Sequence, residues 1–145
     1  MDVIFDVDGT LADCEHRWHY VRNKPKNWPA FFAAAQYDTP IEPVAEVFRC
    51  MFSRGHTLLV CSGRPDNLRE ATNTWLCAQY LFAHKLYMRK NGDSRPDEIV
   101  KSELLDAMLA DGYNPQLVVD DRLKVCNMWK ARGLLLLAVN GGNDF

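Results

Sequence analysis

Apolar residues in this chain gather into short, β-branched-rich runs that each stop at a turn or an acidic pair. Val3-Ile4-Phe5-Asp6-Val7-Asp8 ends at Gly9 and Thr57-Leu58-Leu59-Val60-Cys61 at Ser62-Gly63. Gln116-Leu117-Val118-Val119 ends at Asp120-Asp121, and Leu134 to Val139 at Asn140-Gly141-Gly142. Each run predicts a buried strand, and Lys85-Leu86-Tyr87-Met88 is a fifth candidate. Between the runs, apolar positions recur at helical spacing. Ile41, Val44, Ala45, Val47, Phe48 and Met51 predict a helix closed by Gly55, and Leu68, Ala71, Trp75 and Leu76 a second one opened by Pro65-Asp66. Val100, Leu104, Leu105, Met108 and Leu109 predict a third, with Ser94 as its N-cap and a proline at its first helical position. Leu123, Val125, Cys126 and Trp129 predict a fourth, ended by Gly133. Continuous apolar strands alternating with helices predict an α/β fold, a parallel sheet sandwiched by helices. Such sheets carry their sites beyond the carboxyl ends of the strands, so the residues that stop each run are the candidates.

Residues 13–40 break the alternation. They hold Trp18, Tyr20, Trp28, Phe31, Phe32 and Tyr37 with Arg17, Arg22, Lys24 and Lys26 interspersed, and predict a small helical cap or flap inserted after the first strand. For most of these aromatics an ordinary place in a peripheral helix core is the alternative. With 145 residues, 48% hydrophobic and a formal net charge of -2, the chain reads as one domain over residues 1–145. That composition excludes a disordered tail and a uniformly basic nucleic-acid coat. The longest apolar stretch, Leu134 to Val139, is too short for a bilayer, and Asp2 to Phe5 already reads as structure rather than as a leader. Five scattered cysteines without a C-x-x-C pair read as reduced thiols, so a cytoplasmic protein with no membrane contact is expected.

Chemistry concentrates at the strand ends. In Asp6-Val7-Asp8-Gly9-Thr10, side chains two apart point the same way, and a tight turn at Gly9 can bring both carboxylates to one pocket with amides facing an anion. Repulsion between them would leave one as an anionic nucleophile or ligand and the other as a protonated acid. Asp120-Asp121 ends another strand. One acid suffices for a helix cap, and two more acids beside the first pair call for a cation, with all-oxygen ligation pointing to Mg²⁺. Ser62-Gly63-Arg64 offers a hydroxyl, amides and a guanidinium for a phosphate, although Ser-Gly is also a routine turn. Asp97 and Lys101 share a helix face, either as a surface ion pair or with Lys101 turned to offset a nucleophile's charge. Neither a G-x-x-x-x-G-K-[ST] loop nor a G-x-G-x-x-G loop is present.

With these stations in order, the chain resembles the haloacid dehalogenase superfamily of phosphatases, and within it the 3′-phosphatase domain of bacteriophage polynucleotide kinases. The resemblance rests on FDVDGTLA (Phe5 to Ala12), SGR (Ser62 to Arg64), GDSRPDEIVK (Gly92 to Lys101), VDDR (Val119 to Arg122), Asp144-Phe145 and an arginine nine residues after Asp8, Arg17. It implies a Rossmann-like sheet with Asp6 as nucleophile, Asp8 as general acid and then base, and Lys101 as the catalytic cation. Gly9, Thr10, Arg17, Ser62, Gly63, Arg64 and Asp97 would bind phosphate or substrate. Mg²⁺ would sit on Asp6, the backbone carbonyl of Asp8, Asp120 and Asp121, with Asp121 the direct ligand of the last pair. The implied substrate is a phosphorylated polynucleotide end, with no kinase domain on this chain and no obligatory protein partner. A mononucleotide or small-molecule phosphatase on the same machinery, or a non-catalytic phosphate-binding module, are the competing expectations.

Overall fold

The computed structural model describes residues 1–143, so Asp144-Phe145 lies outside the described residues. Five strands form one parallel sheet: β1 (Asp2–Phe5), β4 (Thr57–Pro65), β5 (Lys85–Arg89), β6 (Pro115–Arg122) and β7 (Leu135–Asn143), in the order β5-β4-β1-β6-β7. Strand β1 is central. The chain builds outward from it to β5 and then returns to its other side at β6, so the order reverses between β1 and β6. A crevice at such a switch point is where α/β sheets hold ligands.

Alternation along β1 explains the two cores. Val3 and Phe5 face one side, packing with Leu58, Val60 and the helices α3 (Glu42–Ser53) and α4 (Arg69–Ala78) through Ala45, Phe48, Trp75 and Leu76. Ile4 faces the other side with Leu59, Cys61 and Val118. There Leu105 and Met108 of α5 (Asp97–Ala110) and Val125 and Trp129 of α6 (Leu123–Ala131) cover it. Each fully buried side chain of this size contributes about 1.5–3 kcal/mol. The run after Leu134 is less buried than predicted: β7 is an edge strand, and Leu134 and Leu136 pack under α6 while Leu135 and Leu137 alternate into solvent.

The third predicted helix starts later than its sequence signal. Pro96 precedes α5 instead of opening it, and no side chain caps the end. Asp93 accounts for the difference: its Oδ1 accepts from Arg95 N at 3.0 Å, and Arg89 Nη1 holds the Asp93 and Arg95 carbonyls, so this turn occupies the place of the Ser94 cap. Between β2 (Ala12–Asp13) and β3 (Thr39–Pro40), an antiparallel pair, residues 14–38 form short helices including α1 (His19–Arg22) and α2 (Trp28–Ala33). Asn27 opens α2 by accepting from Ala30 N at 3.1 Å. Among the described residues no helix is long and apolar enough to cross a membrane.

Candidate active site

The site starts where β1 stops. Asp6 N still donates to Val119 O at 3.0 Å, and then the chain wraps tightly on Val7, whose carbonyl accepts from Leu11 and Ala12 at 2.9 and 2.8 Å. Gly9 permits this wrap with φ +85°, and a Cβ there would lie 2.2 Å from Asp121 Oδ2. The loop backbone therefore runs directly against the end of β6.

Asp6, Asp120 and Asp121 are all buried and offer oxygens within 4.8 Å of one another. Lys101 reaches in from α5 and donates to Asp6 Oδ1 at 2.7 Å and Asp120 Oδ2 at 2.9 Å. It does not pair with Asp97 as the spacing allows; the inward alternative is the one observed. Thr10 Oγ1 donates to Asp6 Oδ2 at 2.9 Å and lies 3.3 Å from Asp121 Oδ1. Both Asp120 oxygens are engaged, Oδ2 also by Trp129 Nε1 at 3.1 Å and Oδ1 by Arg122 N at 3.2 Å, which makes it the outer member of the trio. Burial, then the Asp120 charge, push the Asp6 carboxyl well above the usual range, with Lys101 opposing. Burial works against the charge on Lys101, but Asp120 and Asp6 hold its ammonium well above the ordinary value. Three carboxylates facing one ammonium, with oxygen donors only, fit a hard divalent cation.

Asp8 turns elsewhere. Its Oδ1 accepts from Arg17 Nη2 and from Arg64 Nη2, both at 2.6 Å, and its Oδ2 from Arg64 Nε at 3.1 Å. Burial opposes its charge, but Arg64 first and Arg17 next hold its carboxyl well below the usual carboxylate range. Two guanidiniums, rather than repulsion from Asp6, thus set the charge balance at Asp8. Arg17 is wholly buried and clamps Asp38 as well, from Nε at 2.9 Å and Nη2 at 2.7 Å, with its guanidinium 4.3 Å from the Phe31 ring centre. Arg64 is steadied by Thr72 Oγ1 at 3.2 Å, and its backbone N–H donates to Ser62 Oγ at 3.1 Å.

Asp97 and Gly63 meet behind this loop. A Cβ on Gly63 would sit 2.6 Å from Asp97 Oδ1. Asp97 bridges Arg89 and Arg122, the latter at 2.6 Å, and Arg89 Nε donates to Gly63 O at 2.7 Å. Of the predicted residues, Asp6, Thr10, Lys101, Asp120 and Asp121 thus form one cluster. Asp8, Arg17 and Arg64 form a second beside Ser62, and Asp97 packs against the irregular Ser62–Pro65 end of β4. Sequence reasoning missed Asp38, Arg89 and Arg122 as partners. Asp38 had one signal, being the first acid after the basic stretch that Arg17 belongs to.

A parallel sheet with this order, an Asp-x-Asp turn on its central strand and a buried lysine on the first aspartate define a phosphatase of the haloacid dehalogenase type. Residues 1–145 match the family model described as the polynucleotide kinase PNKP phosphatase domain, and the chain belongs to that family. It is an enzyme, a hydrolase. A protein of Autographa californica nuclear polyhedrosis virus, named as a bifunctional polynucleotide kinase/RNA ligase, is 26% identical over 129 residues, covering 88% of this chain and 17% of that one. A chain of the Pnkp1/Rnl/Hen1 complex, described in a second structure as an RNA repair complex, is 30% identical with TM-score 0.81. The match covers 99% of this chain and 46% of that one. A haloacid dehalogenase-like hydrolase from Streptococcus pneumoniae shares the fold alone, with TM-score 0.70, 12% identity and coverage of 97% and 85%. This chain spans less than half the length of the first two relatives. Since the second works inside a multi-protein assembly, the expectation of no obligatory partner gains no support from it.

Proposed function

We propose that the chain removes 3′-phosphates from polynucleotide ends through an aspartyl-phosphate on Asp6, with Mg²⁺ as cofactor. The observation that carries this reading is the buried trio Asp6, Asp120 and Asp121 with Lys101 paired to Asp6 and Asp120. Mg²⁺ on Asp6, the Asp8 backbone carbonyl and Asp121, with Asp120 behind, would neutralise charge on the phosphoryl oxygens.

Lys101 and Thr10 hold the two oxygens of Asp6, fixing the carboxylate for in-line attack on phosphorus. The Asp6–phosphorus bond forms as the bond to the ribose oxygen breaks, and Asp8 delivers a proton to that oxygen. A phosphate drawing Arg64 toward itself loosens the guanidinium's hold on Asp8, so that Asp8 takes up a proton from solvent before this transfer. Ionised Asp8 then takes a proton from water, which attacks phosphorus and releases Asp6. Arg64 and Ser62 grip the phosphate, while Arg17 and Asp97 set the positions of Asp8 and of the Ser62–Arg64 segment of β4. The insert over residues 13–40 forms the cap of this site, and the polynucleotide kinase and RNA repair descriptions of the relatives favour a nucleic-acid end over a free nucleotide.

The test is phosphate release from 3′- and 5′-phosphorylated oligonucleotides and mononucleotides, with and without Mg²⁺. The reading expects 3′-phosphorylated oligonucleotides to be hydrolysed fastest and chelation to stop the reaction. Equal rates on mononucleotides would replace it with a small-molecule phosphatase, and turnover in a chelator would remove the cation from it.

A further inference from the structure

Three of the four tryptophans are tied into the protein by their indole N–H: Trp18 donates to Cys14 Sγ, Trp75 to Asp38 O and Trp129 to Asp120 Oδ2. Trp28, on α2 of the insert, is 47% exposed. Phe32 stacks against it with ring centres 5.8 Å apart and planes at 26°, and Phe31 meets it edge-on at 5.6 Å. Phe31 in turn is buried under the Arg17 guanidinium, and Arg17 bonds Asp8. A continuous run of rings therefore leads from the reacting end of the site to one exposed indole.

The segment that carries that indole has a single sign of charge. No acidic residue occurs between Glu15 and Asp38, while Arg22, Lys24 and Lys26 are exposed. Lys26 Nζ lies 5.7 Å from the Trp28 ring centre. In a chain of net charge -2 this is a local reversal, and it joins a π-face to cations. Single-stranded nucleic acid is held by that combination: bases stack on aromatic rings while cations follow the backbone.

We infer that Trp28 is the stacking platform for a base upstream of the terminal phosphate, with Lys26 beside it meeting the sugar–phosphate chain. Trp28 then determines preference for a polynucleotide over a mononucleotide. The inference rests on the polynucleotide reading above and adds the residue that enforces it.

The experiment compares wild type, Trp28→Leu and Trp28→Tyr on p-nitrophenyl phosphate, a 3′-phosphorylated mononucleotide and 3′-phosphorylated oligonucleotides of increasing length. Leucine keeps an apolar contact for Phe31 and Phe32 but has no π-face, whereas tyrosine restores one. Trp28→Leu is expected to raise KM for oligonucleotides about tenfold, flattening the dependence on length, with Trp28→Tyr close to wild type. The ratio of oligonucleotide to p-nitrophenyl phosphate kcat/KM should fall by the same factor. An equal loss on every substrate, carried by kcat, would mean that the ring only props Phe31 under Arg17 and would overturn the inference. So would an unchanged oligonucleotide KM. If wild type itself releases no phosphate from any 3′-phosphorylated nucleic acid, the functional reading fails first. If it does so and Trp28→Leu keeps the length dependence, only the platform fails.

Discussion

Asp6 and Asp8 are separated by one residue yet sit in pockets of opposite balance. Around Asp6, the carboxylates of Asp6, Asp120 and Asp121 face the single ammonium of Lys101. Around Asp8, Asp8 and Asp38 face Arg17 and Arg64, with every guanidinium–carboxylate contact at 3.5 Å or less. The first pocket holds more carboxylates than the Lys101 ammonium balances, whereas in the second two carboxylates meet two guanidiniums. The difference divides labour. A pocket short of cations is built to be completed by something that arrives, whereas a balanced one is built to hold its own walls. The second cluster joins the neck of the insert, the β1 turn and β4, so it ties the insert to the sheet.

The largest effect expected of this comparison is on turnover. Asp6→Asn should lower phosphate release by more than about 10⁴-fold, as loss of a covalent nucleophile does. In metal-free buffer the same variant should melt a few degrees higher, because an amide relieves repulsion from Asp120 and Asp121; that gain is on the order of 1 kcal/mol. Since the Asp6 carboxyl is raised in the folded protein, its charge costs stability as pH rises, and the gain should grow toward neutral pH. A variant that is inactive and also less stable in chelator would show that the first pocket is balanced after all.

The second pocket should respond in the opposite sense. Arg17→Met leaves the buried Asp38 and the part-buried Asp8 with one guanidinium between them, and should cost about 3–5 kcal/mol in urea unfolding. A loss under about 1 kcal/mol would mean that the insert docks without this lock.

Part of this contrast was legible in the sequence. Apolar runs stopping at Asp6-Val7-Asp8-Gly9-Thr10, Ser62-Gly63-Arg64 and Asp120-Asp121 placed three strand ends together, because a parallel sheet gathers its carboxyl ends on one side. Which carboxylate meets which cation was not legible. Hydrophobic periodicity reports the face a residue occupies, not its partner on that face, and Lys101 finds Asp6 across 95 residues of sequence. The Asp97–Lys101 spacing suggested a local pair, but tertiary contacts took Asp97 to Arg89 and Arg122. Asp38 follows a basic, aromatic stretch with no period of its own. Its role emerges only once the neck strands β2 and β3 fold the insert back and bury Arg17.

Cation binding sharpens the comparison next. Mg²⁺ at about 100 times its dissociation constant should stabilise the wild type by about 2.7 kcal/mol, read as a rise in Tm. Asp121→Asn should lose most of that rise, whereas Thr72→Val, which touches only the arginine side, should keep it. An equal rise in Asp121→Asn would place the cation away from the trio.

The smallest effect belongs to a third ionic group, in which Arg95 joins Asp93 at 2.8 Å and Glu103 at 2.5 Å on the protein surface. These are the same residue types as in the buried lock, but water screens them, so burial rather than pairing is what the comparison tests. Arg95 holds the Asp93 carboxyl down at about 2, against an ordinary 3.8. A lowered carboxyl contributes stability above its unfolded value and loses it as pH falls through the folded one. Arg95→Ala should therefore match wild type in Tm below pH about 2 and fall short of it only above pH about 4, by a degree or less at neutral pH. Acid-to-neutral melting curves of the two proteins measure this directly. A deficit at neutral pH rivalling that of Arg17→Met would show that pairing alone, without burial, accounts for the strength of the lock.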